Sequence, residues 1–129
     1  RPDFAAAHYN LGNTLAACGE SDAAIAHYRE ALKAKPDYVN ARYNLSNSLA
    51  EKGRLDEALE HLQAALRSAP DDASIHIRLG HIFTEKGDRE RAVRHFHRAL
   101  EIQPGHPEAR DRLAMLVRQR ERAEQAIRQ

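Results

Sequence analysis

In the stretch AAAHYNLGNTLAACG, apolar or small side chains fall at Ala7, Leu11, Leu15 and Cys18, three or four residues apart. That spacing places them on one face of a helix. Gly19 follows, free of the Cβ that penalises the left-handed conformation at a helix end. The next stretch, SDAAIAHYREALKAKP, opens on the N-cap types Ser21 and Asp22 and sets Ala24, Tyr28, Ala31 and Leu32 on one face. Pro36 has no amide hydrogen to continue that helix and marks its exit. The pattern therefore predicts a helix, a tight turn and a second helix. No stretch alternates with the two-residue rhythm of a strand.

The same contents recur. Pro2, Pro36, Pro70 and Pro104 are 34 residues apart, as are Gly19, Gly53 and Gly87, the series Ala24, Ala58 and Ala92, and the series Ala31, Ala65 and Ala99. Residues 5–38 and 39–72 share 15 identities, and residues 73–106 keep the punctuation. A fixed period of this size predicts a stacked repeat architecture. The helix pairs are expected near 5–18 with 22–34, 39–52 with 56–68, and 73–86 with 90–102, giving an all-α fold. Gly12, Ser46 and Gly80 in the first helices, with Ala24, Ala58 and Ala92 in the second, let backbones approach to roughly 8–10 Å. Larger residues at those alanines should cost about 1–3 kcal/mol through overpacking.

Leu-Gly or Leu-Ser in the first helix, followed by the alanine, aromatic, alanine and proline series of the second, resembles the tetratricopeptide repeat over residues 5–106. The resemblance implies an α-solenoid, a short right-handed superhelix of three helix-turn-helix repeats (5–38, 39–72, 73–106) closed by a C-terminal capping helix (107–129). On that frame RPDF, residues 1–4, is expected to be the tail of a preceding repeat, and the chain a segment of a longer repeat protein. Residues 107–129 carry Ala109, Leu113, Leu116, Val117, Ala123 and Ile127 at helical spacing among many charges, as a cap needs. One departure stands out: His8, Arg42 and His76 occupy the place where the family often has a large aromatic, which is expected to cost packing between the paired helices.

At 129 residues the chain has the size of one domain with one continuous core. Charged residues make up 30% and the net charge is +1, which favours solubility and gives no push toward nucleic acid or membrane. The charge is uneven: residues 5–72 hold 7 basic and 10 acidic side chains, net −3, and residues 73–129 hold 12 and 8, net +4. That asymmetry is a candidate for orienting a partner. A single cysteine excludes an internal disulfide, and Cys18 is expected to be a small buried hydrophobe. There is no apolar run long enough to cross a membrane and no signal sequence, so a soluble segment is expected, with the cytoplasm favoured.

Eight histidines raise the question of metal binding. His27, His61 and His95 hold one place in successive repeats, but such places lie roughly 10 Å apart, far beyond the ~2 Å of a zinc ligand. His81 and Glu85 are one helical turn apart and make at best a two-ligand site. No phosphate-binding glycine loop, nucleophile elbow or HExxH motif occurs, and the sequon at 44–46 lies mid-helix. No catalytic residue, metal or cofactor is expected, and the segment is not read as an enzyme.

The resemblance places the first helices along a concave side. The residues expected there are Tyr9, Asn10, Asn13, Asn40, Tyr43, Asn44, Asn47, Ile77, Arg78, His81 and Arg112. Asparagine is a poor residue for a helix interior, yet Asn10, Asn13, Asn44 and Asn47 are all interior. Their amides both donate and accept, matching the groups of an extended peptide backbone; alternatively they bond between neighbouring helices and organise the stack. Tyr9 and Tyr43 are placed to pack on the same peptide, and Arg78 and Arg112 to meet an acidic residue or carboxylate. The asparagine series is similar in part to that of the O-GlcNAc transferase repeat superhelix. Asn13, Asn44 and Arg78 also resemble the carboxylate clamp of chaperone-binding members, whose two lysines correspond to Tyr9 and Ser74, which argues against recognition of an EEVD terminus. The expected function is a protein–protein interaction scaffold gripping an extended peptide of unknown identity. The alternatives are the substrate-recruiting arm of a larger enzyme such as a glycosyltransferase, or a self-assembly module.

Overall fold

The computed structural model describes residues 4–129 and is built of seven helices: α1 (Phe4–Ala17), α2 (Ser21–Ala34), α3 (Val39–Glu51), α4 (Leu55–Ser68), α5 (Ala73–Glu85), α6 (Arg89–Ile102) and α7 (Pro107–Arg128). Among the described residues there is no strand. The all-α architecture of three helix-turn-helix pairs and a final helix is thus observed, with each helix boundary within a residue or two of expectation. Residues 1–3, most of the expected tail of a preceding repeat, lie outside the described residues, and Phe4 opens α1. The chain divides into two compact units, Arg1–Pro70 and Asp71–Gln129. In the first, α2 packs on both α1 and α3, and α3 on α4; in the second, α6 packs on α5 and α7.

The turn inside each repeat has one construction. Gly19, Gly53 and Gly87 have φ of +79°, +77° and +80°, where a side chain is strained. The amide after each glycine donates back to a carbonyl in the last helical turn: Glu20 to Leu15 at 2.9 Å, Arg54 to Leu49 at 2.9 Å, Asp88 to Phe83 at 2.8 Å. These bonds satisfy carbonyls that a helix end would otherwise leave open. The closure is so tight that the residue after glycine is also the N-cap of the next helix. Ser21 is therefore not the cap that its type suggested: Glu20 is, with no side-chain bond, and Ser21 is the first helical residue. Of the three equivalents only Asp88 caps with its side chain, accepting from the Arg91 amide at 3.1 Å.

Within each pair the small residue of the first helix faces the large residue of the second. A Cβ on Gly12 would lie 2.7 Å from the Tyr28 ring, and one on Gly80 would lie 2.6 Å from the Phe96 ring. In the middle repeat the facing residue is Leu62, and here the first helix affords a serine: Ser46 is fully buried and donates to the Tyr43 carbonyl at 2.6 Å. Glycine thus accompanies a ring and serine accompanies leucine. Ala24, Ala58 and Ala92, with Ala31, Ala65 and Ala99, are completely buried.

Three apolar positions along α1 and at its end depart from expectation: Ala7, Leu11 and Cys18 are exposed. Cys18 stands at the α1 terminus before Gly19, the place held by Lys52 and Lys86 in later repeats, and the helix ends before its side chain turns inward. Leu11 is 45% exposed although its equivalents Leu45 and Leu79 are 0% and 1% exposed. Leu45 belongs to α3, which α2 covers; within its unit α1 packs chiefly on α2, and Leu11 and Phe4 lie on its open side. In α7, Ala109 and Leu116 are buried, and from Arg118 onward every residue is exposed.

Candidate binding site

In the first unit the candidate face is carried by α1 and α3. Tyr28 reaches it from the buried side of α2 because Gly12 leaves its ring room to pass. Its hydroxyl donates to Asn13 Oδ1 at 2.7 Å. Burial, with Tyr9 and Glu51 adding to it, pushes the Tyr28 pKa up to about 12, so the hydroxyl keeps its proton and remains a donor. Asn44 Nδ2 donates to the same Asn13 Oδ1 at 2.9 Å and to the Tyr9 hydroxyl at 3.2 Å. Tyr9 in turn lies against Tyr38 and Tyr28, with ring centroids 5.0 and 6.2 Å away. Two of the four interior asparagines therefore bond between helices.

Beside this network lies a cavity of about 310 Å³ walled by Asn13, Ala16, Tyr28, Asn44, Asn47 and Glu51 among others. Asn47 Oδ1 is buried there with no hydrogen-bond partner. An unmatched buried carbonyl is costly, on the order of 1–3 kcal/mol, so this atom is poised for a donor. Asn10 and Asn40 are exposed on α1 and α3, and Tyr43 is half-buried.

In the second unit the face is carried by α5 and α7. Arg78 is half-buried on α5, and its Nε is buried without a partner. His81 Nε2 lies 2.6 Å from Glu108 Oε2 on α7, while its ring meets Phe96 edge-on at 5.4 Å. Burial holds the His81 pKa below its ordinary value; Arg78 and Arg112 lower it further and Glu108 opposes them. At neutral pH the contact is thus a neutral imidazole donating to a carboxylate rather than an ion pair. His81 is turned to Glu108 and not to Glu85. Arg112 is exposed on α7. Ile77 is the exception among the expected groove residues: it is only 6% exposed, its short side chain ending within the core where Tyr9 and Tyr43 extend outward at the equivalent places. Among the described residues no group of three or more His, Cys, Asp and Glu is arranged to hold a metal ion.

The histidine series has a use that the sequence reading missed. His27, His61 and His95 each meet the unusual residue of the paired first helix. His8 Nδ1 lies 3.1 Å from His27 Nδ1, His76 Nδ1 3.1 Å from His95 Nδ1, and Arg42 Nη1 3.2 Å from His61 Nδ1. Stacked imidazole pairs, with ring centroids 5.3 and 5.4 Å apart in the first and third repeats, and an arginine–histidine contact in the second thus stand in for the large aromatic. Burial pushes the His95 pKa down to about 4, with His76 and Arg94 adding to it, and burial followed by Arg42 lowers that of His61. The signal was present, since the two odd positions recur at one period and 19 residues apart.

Helical hairpins repeated in tandem define an α-solenoid repeat module. The family model for the tetratricopeptide repeat matches residues 1–38 and 9–73, and a second model of that repeat matches residues 73–106. The chain belongs to the tetratricopeptide repeat family, whose members act as protein–protein interaction modules and are typically non-catalytic. Among solved structures it is similar to the first repeat domain of Spaghetti (RPAP3) bound to the HSP90 peptide SRMEEVD, with TM-score 0.87, 20% identity, and 92% of this chain and 94% of that one covered. The first such domain of human RPAP3 gives TM-score 0.86 and 21% identity over 92% and 93% of the two chains. MamA gives TM-score 0.88 and 19% identity over 99% and 75%. At these identities the likeness is one of fold. No curated protein sequence matches the chain.

Proposed function

We propose that the chain is a scaffold segment that binds an extended peptide on its first-helix faces. The observation that carries this reading is the α1/α3 cavity, where Asn47 presents a buried, unpaired carbonyl next to a fixed amide network. An extended backbone supplies the amide donor that such an acceptor lacks. The series Asn13, Asn44 and Asn47 supports a peptide mode similar in part to that of the O-GlcNAc transferase superhelix, with Asn13 and Asn44 orienting the site instead of contacting the ligand. In the second unit, Arg78 and Arg112 supply positive charge for an acidic residue.

The peptide seen on the Spaghetti domain ends in EEVD. In this chain Tyr9 and Ser74 stand where the clamp of chaperone-binding members has lysines, so that terminus is not the ligand its faces favour. A random heptapeptide library displayed on phage, selected against the whole chain, tests the reading. Enriched peptides should perturb backbone amide resonances of α1 and α3, and Asn47→Ala should weaken them several-fold with little change in unfolding midpoint. Failure to enrich any sequence, or perturbations confined to other helices, would overturn it. A second reading, self-assembly, is favoured by Phe4 and Leu11 exposed on α1 and Ile127 exposed on α7. A sedimentation coefficient that does not change with concentration would eliminate it.

A further inference from the structure

The α1/α3 cavity is one-sided in its charge, and this specifies what part of a peptide it takes. Asn13 Oδ1 already accepts from Tyr28 and from Asn44, which fills its two lone pairs. The two hydrogens of Asn44 Nδ2 are committed to Asn13 and Tyr9. The Tyr28 proton is committed as well, leaving the oxygen's lone pairs. The open acceptors are the buried Asn47 Oδ1 and the Glu51 carboxylate, which receives the exposed Ser21 hydroxyl at 3.3 Å; the Asn13 and Asn47 amide N–H groups stand beside them as neutral donors.

Asn47 and Glu51 are four residues apart on α3 and so share a face. Among the described residues no lysine, arginine or histidine lines the cavity, and the adjacent Lys52 is paired with Asp22 at 3.2 Å. An anion entering here would meet Glu51 with no compensating charge. A cation with several N–H groups would satisfy both open acceptors at once. Ala16 and Ala17 form an apolar wall along which an aliphatic stem can lie.

We propose that the cavity between α1 and α3 selects a lysine or arginine side chain of the bound peptide, its charged head held between Glu51 and Asn47 Oδ1. The inference rests on the peptide reading above, and the test separates the two. Peptides enriched from the heptapeptide library are synthesised with the recurrent basic residue intact, or replaced by norleucine or by glutamate, and titrated against the whole chain. The basic peptide should bind about tenfold tighter than the norleucine one, as one charge-assisted contact supplies, and the glutamate peptide weakest. Glu51→Gln should remove the advantage of the basic peptide over the norleucine one, and Glu51→Lys should favour the glutamate peptide. Peptides that perturb α1 and α3 yet bind equally with lysine or norleucine would overturn cation selection and leave peptide binding standing. So would a basic-residue advantage that survives Glu51→Gln. Absence of any binding peptide overturns both.

Discussion

The first-helix faces of the two units are built on one hairpin and differ in what they present. Two periods separate Tyr28 from Phe96, Asn13 from His81, Asn44 from Arg112, Asn47 from Met115 and Glu51 from Gln119. In the first unit the Tyr28 hydroxyl passes beside Gly12 and fixes Asn13, which fixes Asn44, beside a cavity that holds Glu51 and the unpaired Asn47 carbonyl. In the second, Phe96 passes beside Gly80 in the same way but has no hydroxyl to offer. His81 rests edge-on against that ring and bonds to Glu108, with two guanidinium groups nearby. The oxygen at the end of the Tyr28 ring anchors the amide network of the first face, and the different side chains at the four other equivalent positions complete the contrast. The scaffold under both is unchanged, so chemistry is varied at the surface without redesign of the core.

The largest expected effect breaks the packing common to both units. Gly12→Ser drives a Cβ into the Tyr28 ring and should lower stability by about 1–3 kcal/mol; Gly80→Ser should do likewise against Phe96. Combining Gly12→Ser with Tyr28→Leu copies the Ser46–Leu62 pair of the middle repeat and should recover part of the loss. Strictly additive losses in urea unfolding would refute the pairing rule.

Acid comes next. His95 holds its proton less tightly in the folded chain, with pKa about 4, than in the unfolded chain, where the ordinary value is about 6.5. The unfolded state therefore binds more protons below that value, and stability should fall as pH drops from about 6.5 toward 4. The groups facing His95 are His76, Arg94 and the Phe83 ring, none able to compensate a new positive charge. Thermal melts across this range should show the loss, and His95→Gln should reduce its slope. A midpoint indifferent to pH over that window would contradict the assignment.

A smaller effect distinguishes the faces. Tyr28→Phe converts the first unit's ring to that of the second and leaves Asn13 without its hydroxyl donor, at about 1 kcal/mol. Hydrogen exchange should quicken in α1 to α3 and stay unchanged in α5 to α7. The smallest effect is expected at Glu108→Gln. The contact is partly exposed, so stability should scarcely move, but the His81 pKa should fall further because the group that opposes its lowering is gone. A histidine titration followed by NMR reads this directly.

The repeat boundaries were legible because glycine and proline act locally: the positive φ of Gly19, Gly53 and Gly87 and the chain-breaking prolines recur with the period. The buried alanines and the small residue facing a large one were legible for the same reason. The site was less so. Asn13 and Asn44 bond across helices, which depends on where the Tyr28 hydroxyl ends, and nothing local to the asparagines records that. Ile77 was misplaced because its neighbours along the helix place it on the same arc as Tyr9 and Tyr43, while its side-chain length decides whether it emerges. Cys18 followed the apolar spacing of α1 and was exposed because the helix stops there. The histidine pairs needed the His8, Arg42 and His76 departure to be read together with the His27, His61 and His95 series.

The second half of α7 obeys different physics from the rest of the fold. A helix of 22 residues runs about 33 Å, and every residue after Val117 is exposed. So short a helical stub gains little from its own backbone bonds alone, and it carries four arginines, Arg118, Arg120, Arg122 and Arg128, each an opening for trypsin. Limited digestion should shave this stub away first while the hairpins behind it resist, and the trimmed chain should melt at nearly the same temperature as the intact one.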